Sequence, residues 1–211
     1  MSSARMMPVL TAALMLGGCA GAREKGVATK SSPPAADWKR VVTARDMDRI
    51  RNWRTAFTRA LADARGRGHA RAMTSEGPLL EPDASLGGEP PPPGDYRCRI
   101  VKIGSGGASN LAFVTYPNFA CTIADEGEVM SFAKTSGSQR PVGLIFRGDA
   151  HRAIFLGTLM LGDEKRAIEY GRDSSRDMAG AVERIGDRRW RMILPYPAFE
   201  SMMDVIELVP A

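Results

Sequence analysis

The spacing of apolar residues changes once along the chain, between residues 80 and 95. Before this point apolar residues recur three and four positions apart, and after it apolar and polar residues alternate. The first spacing is that of one face of an α-helix, and the second is that of a β-strand with one buried face. The pattern therefore predicts a helical segment followed by an antiparallel sheet.

The helical segment is predicted to occupy residues 37–80. Its main helix spans 43–65, because Thr43 can cap the N-terminus and Asp46 follows three residues later. A short second helix is expected over 69–75. The main helix has one apolar face, which is expected to lie in the core and consists of Ile50, Trp53, Phe57, Ala60, Leu61 and Ala64.

Residues 81–94 are predicted to be a linker. They contain the four consecutive prolines Pro90–Pro93. Such a run favours the extended polyproline II conformation, which acts as a stiff spacer. We expect this segment to separate the helical segment from the residues that follow.

Residues 95–211 are predicted to form an antiparallel β domain. Tyr96, Cys98 and Ile100 alternate with polar residues, and turn residues recur at short intervals. No helical pattern separates the strands, which argues against a parallel sheet. The fold class is therefore mainly β (α+β), best fitted by an up-and-down barrel, with an open, strongly curved sheet on the main helix as the alternative. Further strands are predicted near 119–123, 128–134, 140–147, 152–161, 165–170, 179–185, 190–194 and 202–209.

Residues 1–18 have the features of an export signal. Arg5 precedes an apolar run at 6–16 that is too short to cross a bilayer. The run ends in Leu16-Gly17-Gly18-Cys19, which resembles the lipobox of bacterial lipoproteins. We therefore expect cleavage after Gly18 and a lipid anchor on Cys19.

Residues 19–36 are expected to be a disordered tether, because they are rich in Ala, Gly, Ser, Lys and Pro. Ala20 follows the lipidated cysteine, and the resemblance to lipoprotein sorting rules implies the outer membrane, facing the periplasm. Cys98 and Cys121 then remain in an oxidising compartment. Both lie on the apolar side of their strands, so we predict a disulfide between them.

Common catalytic and metal-binding motifs do not occur in the sequence. Charges of both signs are interspersed, and the net charge of +5 is not gathered into a basic patch of the kind that binds nucleic acid. His69 and His151 are the two histidines, and neither has a cysteine or histidine at zinc spacing. We expect no cofactor or metal. A pair of carboxylates remains a candidate for acid–base chemistry, drawn from Asp163, Glu164, Asp173, Asp177, Glu200 and Asp204.

Two segments have more unusual composition than a strand connection needs: Gly137–Gly143 and Pro195–Ser201. We hypothesise that they lie at the same end of the sheet and form one recognition surface. Arg140 would supply a planar donor for a carboxylate or phosphate. A competing interpretation pairs Arg140 with Glu200 as a structural contact. The other residues of the candidate surface are Ser138, Gln139, Tyr196 and Phe199, with the two aromatic side chains as anchors.

Several short runs of the chain, together with the helical segment from Asp37-Trp38, resemble one bacterial family. This is an uncharacterised domain-of-unknown-function family, number 4893, and the resemblance covers about residues 37–210. It implies an envelope protein and transfers no catalytic residue. A weaker likeness, in layout alone, is to lipocalin-like envelope barrels. The runs are Asp95-Tyr96-Arg97-Cys98-Arg99, Phe132-Ala133-Lys134, Gly137-Ser138-Gln139-Arg140-Pro141, Phe155-Leu156-Gly157, Met178-Ala179-Gly180 and Pro195-Tyr196-Pro197.

The leading functional hypothesis is a non-enzymatic envelope lipoprotein that binds a protein or a small apolar ligand. An envelope hydrolase with a carboxylate pair and a purely structural protein are the alternatives. An apolar cavity inside the barrel would favour a carrier, whereas a filled barrel with an exposed loop patch would favour a protein partner. Carboxylates that converge in a cleft would favour the enzyme.

The lipobox resemblance predicts that lipidation of the protein depends on Cys19. Replacement Cys19→Ala removes the thiol that would receive the lipid, so labelling of the protein by a clickable palmitate should be abolished. The chain should then remain unprocessed or appear in the soluble fraction. Undiminished labelling of the variant would refute the anchor.

Overall fold

The computed structural model describes residues 36–106 and 110–211. Residues 1–35, with the predicted signal peptide, Cys19 and nearly all of the tether, lie outside the described residues. Eight antiparallel strands pair in chain order, and the last pairs with the first to close a barrel. This confirms the predicted fold class and selects the up-and-down barrel over the open sheet. The strands are β1 Gly94–Ser105, β2 Phe113–Asp125, β3 Met130–Lys134, β4 Gln139–Phe146, β5 Ala153–Leu161, β6 Asp177–Gly186, β7 Arg189–Pro195 and β8 Ser201–Pro210.

Because the strands run alternately up and down, successive connections lie at opposite ends of the barrel. The β1–β2, β3–β4, β5–β6 and β7–β8 connections lie at one end, which we call the mouth. The other end, the base, contains the remaining connections. It also contains both ends of the β domain, because Tyr96 pairs with Pro210 and the Ala211 amide donates to the Asp95 carbonyl.

Inward-facing side chains fill the barrel, and the predicted disulfide Cys98–Cys121 is confirmed among them. Cys98 lies opposite Phe119 and Cys121 opposite Tyr96, so the two cysteines are diagonal neighbours with their Cα atoms 5.9 Å apart. Large interior side chains come from six of the eight strands, among them Tyr96, Phe132, Phe155, Met178, Trp190, Met192, Ile206 and Leu208.

The helix predicted over 43–65 is two helices that cover different parts of the barrel. Asn52 ends the first by donating from both its amide groups to the Asp48 carbonyl. The first helix lies on β6 and the second on β1, β7 and β8. No helix in the described part of the chain is long and apolar enough to cross a membrane. The helices are α1 Ala44–Arg51, α2 Trp53–Gly66 and α3 Ala70–Thr74, with 3-10 turns at Trp38–Arg40 and Gly77–Leu80.

Helix α2 buries an outer face that the alternation predicted to be wet. Val101 and Ile103 point away from the barrel interior, yet both are fully buried beneath α2. Phe57 and Leu61 of α2 belong to the same outer cluster. The prediction of one wet face per strand is therefore wrong for this part of the barrel.

The strand predicted over 165–170 is absent: these residues belong to the β5–β6 connection between Leu161 and Asp177. Tyr170 packs against the outer wall of the barrel, and its hydroxyl donates to Asp46 on α1 at 2.7 Å. Its ring is thus half-buried against the barrel without pairing into the sheet.

The proline-containing segment 81–94 lies along the barrel and is not a spacer. The Leu86 amide donates to the Arg184 carbonyl, and Arg184 Nε donates to the Gly87 carbonyl. Trp190 Nε1 donates to the Glu89 carbonyl. Because these bonds join successive residues of the segment to β6 and β7, the helices and the barrel form one packed unit.

The Arg191 guanidinium is fully buried between the barrel and residues 78–82, although the alternation along β7 predicted it to be exposed to solvent. Arg191 donates from Nε and Nη2 to Glu183 Oε2, at 2.9 and 2.7 Å. Its Nη atoms also donate to the main-chain carbonyls of Pro78, Leu79, Glu81 and Pro82. Arg152 donates to the other oxygen of Glu183. Arg191 therefore joins β6 and β7 to the turn that follows the helices.

Loss of the Glu183 charge should strongly destabilise the fold. The replacement Glu183→Gln leaves the Arg191 guanidinium buried without a counter-charge, which costs about 3–5 kcal/mol for buried pairs. The loss in the free energy of unfolding can be measured by urea titration, with tryptophan fluorescence as the readout. Asp83→Asn makes the same chemical change in the exposed Arg54–Asp83 pair and should leave the midpoint unchanged. Equal effects of the two substitutions would contradict the role given to Arg191.

A buried lysine caps the β3–β4 turn at the mouth. Lys134 Nζ donates to the carbonyls of Ser136 and Gln139 and lies 3.7 Å from the centre of the Phe119 ring. Burial, assisted by the charge of Arg140, lowers the pKa of Lys134 from 10.5 to about 8. Below this pKa the folded protein has to hold a charge that burial disfavours.

The contribution of Lys134 to stability should therefore rise with pH. A depressed pKa in the folded state adds stability that is complete above the unfolded value of 10.5 and is lost as the pH falls through about 8. The stability difference between wild type and Lys134→Met should shift by about 3 kcal/mol in favour of wild type across this window. Urea unfolding across that window tests it. A difference that does not change with pH would contradict the assignment.

Candidate functional site

The two segments predicted to form one recognition surface lie at the same end of the barrel. The turn at 135–138 joins β3 to β4 at the mouth, and the connection from Pro195 to Ser201 joins β7 to β8 there. Gln139 from the first and Phe199 from the second line the same small cavity. Ser138 is exposed beside them, and its carbonyl accepts from the Gly162 amide at 2.8 Å.

The cavity at the mouth is narrow. Its free space is about 20 Å³, which is room for about one water molecule. Lys102, Arg176, Asp177 and Asp204 supply its charged groups. Its apolar lining consists of Ile100, Pro141, Leu159, Met178, Pro197, Ala198, Phe199 and Ile206.

The connection from Pro195 to Ser201 has an unusual backbone. Tyr196 has φ of 48° and Glu200 has φ of 70°, and both values lie in the left-handed region that side chains other than glycine disfavour. The Tyr196 amide donates to the Met202 carbonyl at 2.8 Å. Because these positions are separated by Pro197, the backbone of the connection is strongly restricted.

The two aromatic side chains of this connection have different surroundings. Tyr196 is half-buried against the outer cluster beneath α2, whereas Phe199 is 37% exposed above the mouth. A second, open groove lies on the α2 side of the connection and includes Arg59 and Gly106. A Cβ atom at Gly106 would lie 2.5 Å from the Ser201 carbonyl oxygen, so only glycine permits this close approach.

An ion pair inside the mouth holds this connection in place. Lys102 Nζ lies 3.1 Å from Asp204 Oδ2 and 3.4 Å from Glu200 Oε2. The Ser201 hydroxyl donates to Asp204 Oδ1. Burial alone would lower the pKa of Lys102, but the charges of Asp204 and Glu200 outweigh this and raise it. Lys102 is therefore an ammonium ion at neutral pH and not a nucleophile.

Lys102 was not among the predicted site residues, although the alternation of β1 contained a signal for it. The inward positions Tyr96, Cys98 and Ile100 of β1 are followed at the same period by Lys102. A charge at an inward position of a strand requires a buried partner. Asp204, which was among the candidate carboxylates, is that partner.

Arg140 and Glu200 do not pair with each other in the part of the chain that the structure describes. Arg140 Nη2 donates to the Glu164 carbonyl at 2.7 Å, and Glu200 contacts Lys102 instead. The competing interpretation of an Arg140–Glu200 pair is therefore wrong. Arg140 fastens the β5–β6 connection to β4.

The candidate carboxylates are divided among separate contacts. Glu164 binds Arg176, and Asp173 accepts from the amide and hydroxyl of Ser175. Asp177 accepts from the Gly171 amide. Asp177 and Asp204 line the same mouth cavity, and Asp204 and Glu200 both contact the Lys102 ammonium ion. This arrangement fits a structural role better than acid–base chemistry.

Comparison with known proteins identifies one family. No curated protein and no solved structure matches the chain. The family model described as domain of unknown function DUF4893 matches residues 38–208, which include the helices, the mouth and all of the barrel except the last two residues of β8. The chain therefore belongs to the DUF4893 family, as its sequence pattern predicted.

Proposed function

We propose that this protein is an outer-membrane lipoprotein, anchored through Cys19 in the periplasm, that binds a protein partner at the mouth of its barrel. The recognition surface comprises the segments Gly137–Gly143 and Pro195–Ser201. Phe199 is its central contact, with Gln139 and Glu200 beside it. The partner would present an apolar side chain to Phe199.

The observation that carries this proposal is the exposure of Phe199 on a restricted backbone. Left-handed conformations at residues other than glycine cost about 1–3 kcal/mol each and persist where the surroundings enforce them. Here Tyr196 and Glu200 both adopt them, and between them an aromatic side chain remains at the surface. Aromatic side chains held rigidly at a surface are typical anchors of protein interfaces.

The filled interior favours a protein partner over a small apolar ligand. Carriers enclose their ligands in cavities of about 300–1,000 Å³. Side chains such as Phe132, Phe155 and Trp190 occupy the centre of this barrel, and the free space in the mouth cavity is about 20 Å³. A partner that contacts the rim needs no larger cavity.

Site-specific photo-crosslinking in living cells tests the proposal. A photoreactive phenylalanine derivative at Phe199 should yield a discrete adduct with an envelope protein. The same derivative at Leu86, which is also apolar and exposed but belongs to the segment along β6, should not. Mass spectrometry of the adduct identifies the partner.

A second variant separates binding from folding. Because Phe199 is partly exposed, Phe199→Glu should leave the Tm almost unchanged, and it should weaken capture of the crosslinked partner about tenfold or more, as expected for an interface anchor. No adduct at Phe199, or equal adducts at Phe199 and Leu86, would refute the mouth as the recognition surface. Adducts with lipid instead of protein would favour the carrier.

A further inference from the structure

An apolar groove runs along the outer wall of the barrel, away from the mouth cavity. Strands β4 and β5 form its floor, and residues 167–170 of the β5–β6 connection form one side. Its free space is about 340 Å³, which is within the range of small-molecule sites. The apolar side chains that line it are Val41, Val142, Leu144, Phe146, Leu156, Ala167, Ile168 and Tyr170.

Exposed apolar side chains edge this groove. Val41 is 52% exposed and Leu144 is 38% exposed, which is unusual for side chains beside a cluster as apolar as the one formed by Phe146, Ile154 and Leu156. Contiguous exposed apolar surface commonly marks a contact with a protein, a membrane or a ligand.

A buried hydroxyl without a hydrogen-bond partner also lines the groove. Thr158 is 3% exposed, and its Oγ1 has no partner among residues 36–106 and 110–211. Buried polar atoms without partners are disfavoured, so such an atom indicates a missing partner. A hydroxyl can donate to the carbonyl oxygen of an ester. A lipid whose acyl chain lay in the groove would bring such an ester close to Thr158.

Basic residues flank the groove in both segments that border it. Lys39 and Arg40 precede Val41, and Lys165 and Arg166 precede Ala167; all four are exposed. The acidic residue in the lining, Glu169, is paired with Arg172 at 3.3 Å. Four exposed basic side chains therefore flank the groove, and they suit a negatively charged headgroup.

The described chain also begins beside this groove. Ala36, the first described residue, packs with Trp38 and Val42 against the cluster that contains Phe146 and Leu156. In the proposed lipoprotein, Cys19 precedes Ala36 in the chain, so a lipid anchor there would keep the groove within reach of a bilayer.

From these contacts we infer that the groove binds an anionic phospholipid of the membrane. An acyl chain lies along β4 and β5, its ester carbonyl accepts from Thr158 Oγ1, and the basic residues contact the phosphate. The inference rests on the proposed lipoprotein for the source of the membrane. The groove itself is independent of the anchor and of Phe199.

Vesicle sedimentation tests the groove without the anchor. The chain from Ala20 keeps every described residue but lacks Cys19, so its binding does not depend on lipidation. It should sediment with vesicles of phosphatidylethanolamine and phosphatidylglycerol, and less with phosphatidylcholine alone. Val41→Glu combined with Leu144→Glu should weaken binding about tenfold or more, because it places two charges on the apolar edge. Leu86→Glu is the matched control and should bind like wild type.

The hydroxyl provides a readout that a folding defect cannot reproduce. Thr158→Val removes an unpartnered buried polar group of nearly the same shape, so the Tm should not fall. Binding to the phosphatidylglycerol vesicles should nevertheless weaken. Absence of sedimentation by the wild-type chain, unchanged binding of the double glutamate variant or of Thr158→Val, or equal loss in Leu86→Glu would each overturn the assignment. Failure of lipid labelling at Cys19 or of crosslinking at Phe199 would leave these results unaffected.

Discussion

The buried pair of Arg191 and Glu183 is the contact on which the arrangement of helices and barrel depends. One guanidinium donates to a carboxylate on β6 and to several carbonyls of residues 78–82, which span the end of the 3-10 turn and the start of the following segment. Buried ion pairs add little net stability relative to apolar packing. Their directional bonds do restrict geometry, and here they set where α2 rests on β1, β7 and β8. The apolar outer cluster then supplies the burial.

The barrel could be predicted from the sequence because its interior imposes a period of two on every strand. Positions such as Tyr96, Cys98 and Trp190 are read correctly by that rule, and so is the disulfide. The rule fails where the outer face is also covered. Arg191 and Val101 occupy positions that alternation makes wet, but α2 and residues 78–82 bury them. The segment that covers a strand can be far from it in the sequence, so the local spacing of apolar residues does not predict it.

The position of the candidate surface at one end of the barrel could be predicted from the sequence. The contacts that its side chains make could not. Unusual turn composition located the segments Gly137–Gly143 and Pro195–Ser201. They lie at the same end because the strand connections of an up-and-down barrel alternate between its two ends. The partners of Arg140 and Glu200 could not be predicted, because several opposite charges are within reach at the mouth. Only the three-dimensional path of the β5–β6 connection brings Glu164 to Arg140 and leaves Glu200 to Lys102.

Both ends of the β domain lie at the base of the barrel, which determines how the protein can be labelled or immobilised. Ala211 is bonded to Asp95 and lies at the end of the barrel opposite Phe199. A fluorophore, an affinity tag or a sensor chip attached through the C-terminus would therefore point away from the mouth. Immobilised copies would share one orientation, with the loops between the strands facing the solution.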